Sequence, residues 1–271
     1  MSKENIDIPQ IGLGTWKNKG EQCTQSVLNA LDVGYRFIDT AQAYKNEEYV
    51  GKAIKKTDIP RNELIIATKV WVTRLSPNWL KRSVKKSLKK LGLDYVDILY
   101  IHWPAILYCP KRTLGAMNEV VKKGQAKYIG VSNFTPKQVK KGQEVSEHQI
   151  LANQVEAHPF LPQSQMRQFL SERNMHLIAY SPLARGDVIN NETIRKISEK
   201  HNATAAQVSL AWSITKGMHP IPKATSRKHI KDNFKALDLN LTPEDINKID
   251  QIDIKERKVN PAILHPDWGE I

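Results

Sequence analysis

The sequence predicts one (β/α)8 barrel, the fold also called a TIM barrel, as a single domain over residues 1–271. Short apolar runs typical of buried strands alternate along the chain with segments of helical periodicity. Three consecutive strands recur at intervals of roughly thirty residues, the length of a βαβ unit, and they end on Asp39, Lys69 and His102. Because the carboxyl ends of parallel strands meet on one face, these polar groups are expected at the active-site end of a barrel.

In the first half of the chain, each predicted strand is an apolar run that stops at a polar residue or a turn. Gly34 ends the first helix, whose inner face carries Val27, Ala30 and Leu31, and a turn at residues 60–62 precedes the third strand. The four strands predicted here are Ile11–Thr15, Tyr35–Asp39, Leu64–Lys69 and Val96–His102. The helices that follow the second, third and fourth strands are Glu47–Lys56, a lysine-rich helix from Pro77, and Thr113–Lys123.

The second half continues the alternation, with two helical stretches after the seventh strand and two after the eighth. The predicted strands are Tyr128–Val131, Leu151–Val155, His176–Tyr180 and His219–Lys223. The predicted helices are Thr135–Val145, Gln163–Arg173, Glu192–Lys200, Thr204–Lys216, Arg227–Leu237 and Pro243–Ile252. Strand-helix units repeated in this order describe a barrel.

The composition supports one α/β domain. Hydrophobic residues make up 40% of the chain, enough for a sizeable core, and no Pro-, Gly- or Ser-rich run separates two domains. The competing architecture is a doubly wound dinucleotide-binding sheet, which requires the motif G-x-G-x-x-G after its first strand. Here Gly12 and Gly14 are followed by Lys17 where the third glycine belongs, so this alternative is weak.

The net charge of +13 raises the question of nucleic-acid binding. The densest basic segment is a helix in which charged residues alternate with an apolar stripe at helical spacing. The charged residues are Lys81, Arg82, Lys85, Lys86, Lys89 and Lys90, and the stripe is Leu80, Val84, Leu88 and Leu91. This pattern predicts a solvated outer face, and no aromatic residues are interleaved as stacking platforms for bases. We therefore expect no nucleic-acid partner.

Targeting and metal-binding signals are absent from the sequence. Residues 1–10 lack an apolar stretch of signal-peptide length, and no segment approaches the roughly eighteen uninterrupted apolar residues of a membrane helix. We therefore expect a cytoplasmic protein with no membrane partner. Cys23 and Cys109 form no C-x-x-C motif, so no metal or redox site is predicted.

A series of short motifs runs nearly from end to end of the chain. The motifs are Gly12–Trp16, Gly34–Ala41 with Tyr44 and Asn46–Glu47, Thr68–Trp71, Ile101–Pro104, Gly130–Phe134, Tyr180–Leu183 and Ile221–Lys223. In this order and spacing they make the chain resemble an aldo-keto reductase, in the short-looped group of aldose-reductase-like and diketogluconate-reductase-like enzymes. No one of these motifs would be specific alone.

By this resemblance the catalytic residues are Asp39, Tyr44, Lys69 and His102. Reducing a carbonyl takes a hydride from nicotinamide and a proton for the developing alkoxide, and a phenol can donate that proton if its high pKa is lowered. Lys69 would lower the pKa of Tyr44, Asp39 would keep Lys69 charged, and His102 would orient the substrate oxygen. Taken singly, the same residues fit a structural ion pair, a loop aromatic ring and a core histidine.

The resemblance also implies a nicotinamide cofactor, with NADPH preferred and NADH accepted. Tyr180 corresponds to the ring that stacks on the nicotinamide, and the residues that correspond to contacts with its carboxamide are Ser132, Asn133 and Gln154. Contacts along the pyrophosphate correspond to Ser181 and Leu183, those near the 2′-phosphate to Lys223, Thr225 and His229, and that at the adenine to Asn233. Apart from the resemblance, Ser132 and Asn133 fit a helix N-cap, and Lys223 fits a surface position after a strand.

His229 departs from the pattern of this group. Relatives that prefer NADPH usually carry an arginine at this position and a serine at the position of Ala224. An imidazole is mostly neutral at pH 7 and offers fewer donors than a guanidinium, so the grip on the 2′-phosphate should be looser. Lys223 remains, and Arg227 and Lys228 lie close enough in sequence to compensate.

Three tryptophans follow strand ends and are expected to wall an apolar substrate cleft. They are Trp16, Trp71 and Trp103, with Trp268 in the tail as a fourth side. Core packing beneath the loops is the alternative. The loops around the cleft are short, which predicts an open site and a broad choice of substrate.

The function that follows is the reduction of aldehydes or ketones, including sugars or keto acids, by an NAD(P)H-dependent aldo-keto reductase. We expect a monomer whose partners are small-molecule carbonyl substrates. The alternative is a regulatory or structural protein that binds nucleotide with little turnover, because a fold alone does not establish activity. A Schiff-base aldolase that uses Lys69 is disfavoured because Asp39 would keep that lysine protonated.

Overall fold

The computed structural model describes residues 6–105 and 107–268. Eight strands form one sheet in the order β1 to β8, and each strand pairs in parallel with its neighbour in sequence. Helices alternate with the strands, so the predicted (β/α)8 fold is confirmed. The strands are β1 Leu13–Gly14, β2 Phe37–Asp39, β3 Ile65–Val70, β4 Val96–Ile101, β5 Ala126–Ser132, β6 Ile150–Glu156, β7 His176–Tyr180 and β8 Met218–Pro220.

Two backbone hydrogen bonds close the sheet into a barrel. The N–H groups of Gly12 and Gly14 donate to the carbonyl oxygens of Pro220 and Pro222, at 3.0 and 3.1 Å, and thereby join β1 to β8. Both prolines lack an N–H donor, so this seam is built on their carbonyl groups. This one-sided bonding explains why β1 and β8 are shorter than the sequence predicts.

The helices lie close to their predicted bounds. Helices α2 and α7 and strand β7 have the bounds expected from the sequence, whereas α9 ends at Phe234 and continues as a 3-10 turn, Lys235–Asp238. The helices are α1 Gly20–Val33, α2 Glu47–Lys56, α3 Pro77–Leu91, α4 Pro110–Lys122, α5 Pro136–Val145, α6 Ser164–Ser171, α7 Glu192–Lys200, α8 Ala205–Thr215, α9 Arg227–Phe234 and α10 Pro243–Asp250. Among the described residues, no helix is long and apolar enough to cross a membrane.

Apolar side chains fill two layers, one inside the barrel and one between the sheet and the helices. In the outer layer, the predicted stripe of α3 is buried, and its basic residues lie outside it. In the inner layer, the ring of Tyr100 covers Gly130, where an added Cβ would lie 2.3 Å from the ring atom Cε1. The inner layer also contains Phe37, Ile65, Ala67, Ile98, Ala152, Ile178 and Ile221. This plug fills the barrel beneath the carboxyl ends of the strands.

The single domain over residues 1–271 includes positions outside the described ranges and stays a prediction.

A glycine in α2 permits the close approach of α3, and its replacement tests this packing. A Cβ at Gly51 would lie 2.3 Å from the carbonyl oxygen of Leu91, a backbone atom that cannot rotate away. We expect Gly51→Ala to lower the free energy of unfolding by about 1–3 kcal/mol through overpacking. Urea unfolding measures this difference.

The matched control is Gly115→Ala in α4, where an added Cβ meets nothing within 4 Å. Its helix propensity alone should raise stability by up to about 1 kcal/mol. Equal effects of the two substitutions would contradict the proposed helix contact.

Candidate active site

The four residues of the expected catalytic set meet at the carboxyl end of the barrel. Asp39 is the last residue of β2, and Lys69 is the penultimate residue of β3, which continues to Val70 rather than ending on Lys69 as the sequence suggested. His102 follows β4, and its N–H donates to the carbonyl oxygen of Val70 at 3.1 Å. Tyr44 ends a 3-10 turn, Gln42–Tyr44, in the loop after β2.

A buried ion pair joins β2 to β3. The Nζ atom of Lys69 lies 2.5 Å from Oδ1 of Asp39 and also contacts Oδ2, and the two side chains are 0% and 1% exposed. The same Nζ donates to the carbonyl oxygen of Thr40 at 2.9 Å. This is the pairing that the sequence analysis expected. Burial raises the pKa of Asp39 and lowers the pKa of Lys69, and the contact between the two charges opposes both shifts.

Tyr44 lies beside this ion pair. Its hydroxyl is 3.3 Å from Nζ of Lys69, which also lies 4.9 Å from the centre of the ring. Burial raises the pKa of the Tyr44 phenol well above its usual value, and the negative charge of Asp39 raises it further. The net shift in the structure is therefore upward, and the lowering that the sequence analysis expected from Lys69 stays a prediction. The phenol remains protonated at neutral pH, as a proton donor must be.

His102 is a neutral imidazole. Burial lowers its pKa well below the usual range, and the charge of Lys69 lowers it further. Its ring meets the rings of Tyr44 and Trp71 edge-on, at centroid distances of 5.8 and 5.2 Å. Within the described part of the chain, its Nδ1 atom has no hydrogen-bond partner. A neutral imidazole beside a protonated phenol can hydrogen-bond a carbonyl oxygen without adding charge.

Asn46 braces the loop that carries Tyr44. Its amide nitrogen donates to the carbonyl oxygens of Thr15 and Asn18, at 2.8 and 2.9 Å, and its oxygen accepts from the hydroxyl of Thr40 at 2.7 Å. These three bonds tie the loop after β1 to the loop after β2. The residue was part of a sequence motif, but its bracing role depends on contacts that the motif did not reveal.

Ser132, Asn133 and Tyr180 form a second polar group at the same end of the barrel. Asn133, at a backbone φ of 64°, donates from its amide to the His102 carbonyl oxygen at 3.0 Å and accepts from the Tyr180 hydroxyl at 2.7 Å. The hydroxyl of Ser132 donates to the backbone oxygen of Gln154 at 2.9 Å. Neither Ser132 nor Asn133 is a helix N-cap, because Thr135 caps α5 in a capping box with Gln138.

The side chain of Gln154 reaches across the barrel to Asp39. Its Nε2 atom lies 3.0 Å from Oδ1 of Asp39. Sequence reasoning placed Gln154 among the cofactor contacts and missed this bond. The two residues are 115 positions apart, and no periodic pattern relates them.

The loop after β7 is irregular and partly exposed. Ser181 has a positive φ of 48°, as do Ala184 and Arg185 with 47° and 57°. Ser181 and Leu183 are half-buried beside Tyr180, so their exposed surfaces face away from the core. The loop therefore presents part of Ser181 and Leu183 to solvent next to Tyr180, and further along it Asp187 pairs with Lys258 of the C-terminal segment.

The segment after β8 presents cationic side chains at the surface. Lys223 and His229 are exposed, Thr225 is half-buried, and Asn233 is buried with 6% exposure. The hydroxyl of Ser226 caps α9 by accepting from the N–H of His229 at 3.2 Å.

Arg227 does not stand free beside Lys223, as its expected compensating role would require. Its guanidinium group contacts the carboxylate of Asp32 on α1. Both side chains are more than half exposed, so this ion pair contributes little free energy and can open.

The tryptophans occupy three different environments. Trp71 is half-buried against His102, Trp103 is 5% exposed and packs as a core residue, and Trp16 lies at the rim with 43% exposure. Trp268 donates from Nε1 to Asn260 at 3.1 Å, and the guanidinium of Arg257 covers its ring at 3.9 Å. Trp71 thus contacts His102 directly, and the burial of Trp103 fits the core-packing alternative, while its place in the wall of the cleft stays a prediction.

The C-terminal segment is anchored at the carboxyl end of β6. The backbone N–H groups of Lys258 and Val259 donate to the buried carboxylate of Glu156, at 2.6 and 2.8 Å. The tail therefore passes the same end of the barrel as the catalytic set.

Within residues 6–105 and 107–268, no cluster of three or more His, Cys, Asp or Glu side chains could hold a metal ion.

Comparisons with known proteins agree on one family. The protein-family model described as "Aldo/keto reductase family" matches residues 10–191 and 188–254 of this chain. The chain is 42% identical over 266 residues to methylglyoxal reductase DkgB of Salmonella typhi, covering 97% of this chain and 100% of that protein. It is 39% identical over 257 residues to glyoxal reductase of Bacillus subtilis (strain 168), covering 94% and 92%.

A solved structure has the same architecture. The crystal structure of MGS-M4, an aldo-keto reductase enzyme from a Medee basin deep-sea metagenome library, superposes with a TM-score of 0.91 at 35% identity. The match covers 95% of this chain and 96% of that chain. The similarity therefore extends over the whole barrel.

Replacing Lys69 by methionine tests the ion pair. Lys69→Met keeps the volume but leaves the buried carboxylate of Asp39 without its cation, which should cost about 3–5 kcal/mol of unfolding free energy. The pKa of Asp39 in the folded variant should rise further above its value in the unfolded chain. Between these two pKa values only the folded state binds the proton, so the stability of the variant falls as the pH rises. The loss of melting temperature should therefore be larger at pH 7 than at pH 5.

The double variant Asp39→Asn/Lys69→Met is the matched control. It removes both charges, so it should recover part of the lost stability and show no such pH dependence. A Lys69→Met variant with an unchanged melting temperature would argue against the pairing.

Proposed function

Because the chain belongs to the aldo/keto reductase family, we propose that it reduces aldehydes and ketones to alcohols. The observation that carries this proposal is the contact of a protonated phenol, Tyr44, with the buried pair of Lys69 and Asp39 at the carboxyl end of the barrel. The neutral imidazole of His102 lies next to that phenol. A proton donor and a neutral hydrogen-bonding ring at one position suit a carbonyl oxygen.

Reduction of a carbonyl group requires a hydride for its carbon and a proton for its oxygen. A reduced nicotinamide supplies the hydride that adds to the carbonyl carbon. Tyr44 donates its phenolic proton to the oxygen as negative charge develops there, because an alkoxide is more basic than a phenolate. Lys69 then stabilises the phenolate, which regains a proton from solvent, and Asp39 holds Lys69 in place. His102 orients the oxygen by a hydrogen bond.

The residues near this centre fit a nicotinamide cofactor. The side-chain amide of Asn133 donates to the hydroxyl of Ser132, which donates to the backbone oxygen of Gln154, and amide and hydroxyl groups of this kind are suited to a carboxamide. Tyr180 would present its ring to the nicotinamide. Ser181 and Leu183 would line the path of the pyrophosphate, and the adenosine end would lie near Thr225, His229 and Asn233.

We propose that NADPH is preferred and that NADH is accepted. Lys223 and Lys228 are exposed cationic groups, and His229 is an exposed imidazole close to them in sequence, which favours a phosphate. Arg227 would add to this set only after leaving Asp32. The missing guanidinium at position 229 should weaken the discrimination between the two cofactors.

The substrates we propose are small carbonyl compounds. The relatives described above are named as reductases of methylglyoxal and glyoxal, so 2-oxoaldehydes are the first candidates. Trp71 and Trp16 would form apolar walls near the reacting carbonyl, whereas Trp103 would support the wall from beneath. We further propose a monomeric cytoplasmic enzyme of one barrel domain, without a nucleic-acid partner.

A regulatory or structural protein that binds nucleotide without turnover is not favoured. The named relatives are reductases, and the catalytic set is complete and in contact. The deciding experiment incubates the protein with NADPH or NADH and a panel of aldehydes, ketones and sugars, followed at the nicotinamide absorbance. Cofactor binding without oxidation by any carbonyl compound would favour the alternative.

Removal of one hydroxyl tests the proton donor. Tyr44→Phe should lower turnover by about 10²–10⁴, as for loss of general acid catalysis, while folding and cofactor binding stay nearly unchanged. Tyr49→Phe removes a phenolic hydroxyl on α2 and serves as the control with normal turnover. Turnover of Tyr44→Phe within a few-fold of the parent protein would remove Tyr44 from this role.

A gain of charge tests the contact with the 2′-phosphate. His229→Arg should tighten NADPH binding by about 1–2 kcal/mol, in the range of a charge-assisted hydrogen bond, with little effect on NADH. Fluorescence quenching of the site tryptophans measures both dissociation constants. Asn247→Arg adds the same charge on α10 and controls for the general field. Equal gains for both cofactors would show that position 229 does not face the 2′-phosphate.

A further inference from the structure

The bond between Gln154 and Asp39 is a feature of the site that carbonyl reduction and cofactor binding leave unexplained. Gln154 lies on β6, is 2% exposed, and directs Nε2 to Oδ1 of Asp39 at 3.0 Å and to Oδ2 at 3.4 Å. Both oxygens already accept from Lys69. An ionised carboxylate can only accept hydrogen bonds, so the amide atom that faces it must be the nitrogen.

We propose that Gln154 is a positioning residue of the catalytic set, which holds Asp39 in place for Lys69 and links the carboxamide-binding groups to the proton-donating groups. The proposal rests on the proposed reductase function. It goes beyond a carboxamide contact, because the side chain acts on Tyr44 through Asp39 and Lys69. The path runs from β6 across the barrel to β2 and then along the sheet to β3.

Few groups keep Asp39 ionised inside the barrel. Burial raises the pKa of Asp39, and the opposing effects come from the charge of Lys69, its hydrogen bond and the hydrogen bond of Gln154. The other ionisable groups that face Asp39 are Tyr44, in the turn after β2, and Tyr100, on β4. Burial raises the pKa of both phenols, so both stay neutral and neither supplies a positive charge. Gln154 is thus a donor to Asp39 whose strength does not depend on the ionisation of Lys69.

The fixed orientation of the amide has a consequence for the cofactor site. With Nε2 committed to Asp39, Oε1 is the atom that can accept a hydrogen bond, either from a carboxamide N–H or from the hydroxyl of Tyr100, which lies within reach of the Gln154 side chain. Such a bond polarises the amide and strengthens the one that its nitrogen donates. Carboxamide binding and the ionisation of Asp39 therefore favour each other, and the coupling is reciprocal.

The first experiment measures Asp39 directly in the protein without cofactor. Aspartate carboxyl carbons are labelled with ¹³C, the Asp39 resonance is assigned as the one lost in Asp39→Asn, and its titration is followed by NMR. In Gln154→Leu the midpoint should rise by about one pH unit, as expected for the loss of one hydrogen bond to a charged group. An unchanged midpoint would overturn the proposal.

Ser132→Ala is the matched control for this measurement. Ser132 belongs to the same proposed carboxamide set but contacts Gln154 only at its backbone oxygen. Its substitution should weaken cofactor binding, measured by tryptophan fluorescence, and leave the Asp39 midpoint unchanged. A midpoint that moves equally in both variants would mean that general loosening of the site, rather than the Gln154 bond, sets the ionisation of Asp39.

The second experiment uses a charge that can be switched by pH. In Gln154→Glu, the neutral carboxyl group can donate O–H to Asp39 and replace the lost amide bond, whereas its ionised form repels Asp39. Turnover relative to the parent protein should therefore be highest at acid pH and fall at least tenfold as the introduced carboxyl group ionises. If Gln154 only accepted from the carboxamide, the ionised group would serve as well, so a pH profile parallel to that of the parent protein would overturn the positioning role.

These outcomes separate the two proposals. If none of the carbonyl compounds supports oxidation of NADPH or NADH by the parent protein, the proposed function fails. The NMR titration then still decides whether Gln154 controls the ionisation of Asp39. If the parent protein is an active reductase and the Asp39 midpoint does not respond to Gln154→Leu, the positioning role alone fails. A Gln154→Leu variant that does not fold leaves the decision to Gln154→Glu, whose side chain has nearly the same shape.

Discussion

The ion pair between Asp39 and Lys69 is the interaction on which the rest of the site depends. Either charge alone would lose several kcal/mol of hydration inside the barrel, yet the two side chains are 1% and 0% exposed. They are tolerated because they neutralise each other and because Thr40 and Gln154 supply further hydrogen bonds. A change in the charge of one group therefore shifts the pKa of the other, so Asp39 and Lys69 respond as one electrostatic unit.

The barrel provides the alignment that this ion pair needs. In the parallel register of β2 and β3, Asp39 lies opposite Ala67, and Lys69 lies two residues further along on the same face of the sheet. Both side chains therefore enter the interior, above the apolar plug that Tyr100 and its neighbours form. Closure of β8 onto β1 curves the sheet, so that β6 can contact β2 through Gln154. A flat sheet with the same strand order would leave Asp39 without this donor.

Burial controls the chemistry of the uncharged members of the site as well. Burial, which disfavours the charged forms of Asp39 and Lys69, also raises the pKa of Tyr44 and lowers the pKa of His102. Both of these side chains are therefore neutral at physiological pH. In the proposed reaction, neither group would ionise before the substrate binds. The phenol would release its proton only when the substrate oxygen becomes the stronger base, which ties proton transfer to hydride addition.

The sequence alone determined the barrel and the polar strand ends at which the proposed catalytic residues lie, because apolar periodicity and strand-end polar residues are local patterns. Helix α2, helix α7 and strand β7 have the predicted bounds, and Asp39, Lys69 and His102 could be placed at strand ends without coordinates. Only the tertiary structure decided the closing seam at Gly12, the engagement of Arg227 by Asp32, the direction of the Tyr44 pKa shift and the bond from Gln154 to Asp39. Each of these depends on distances and solvent exclusion between segments remote in sequence, and no periodic pattern encodes such quantities.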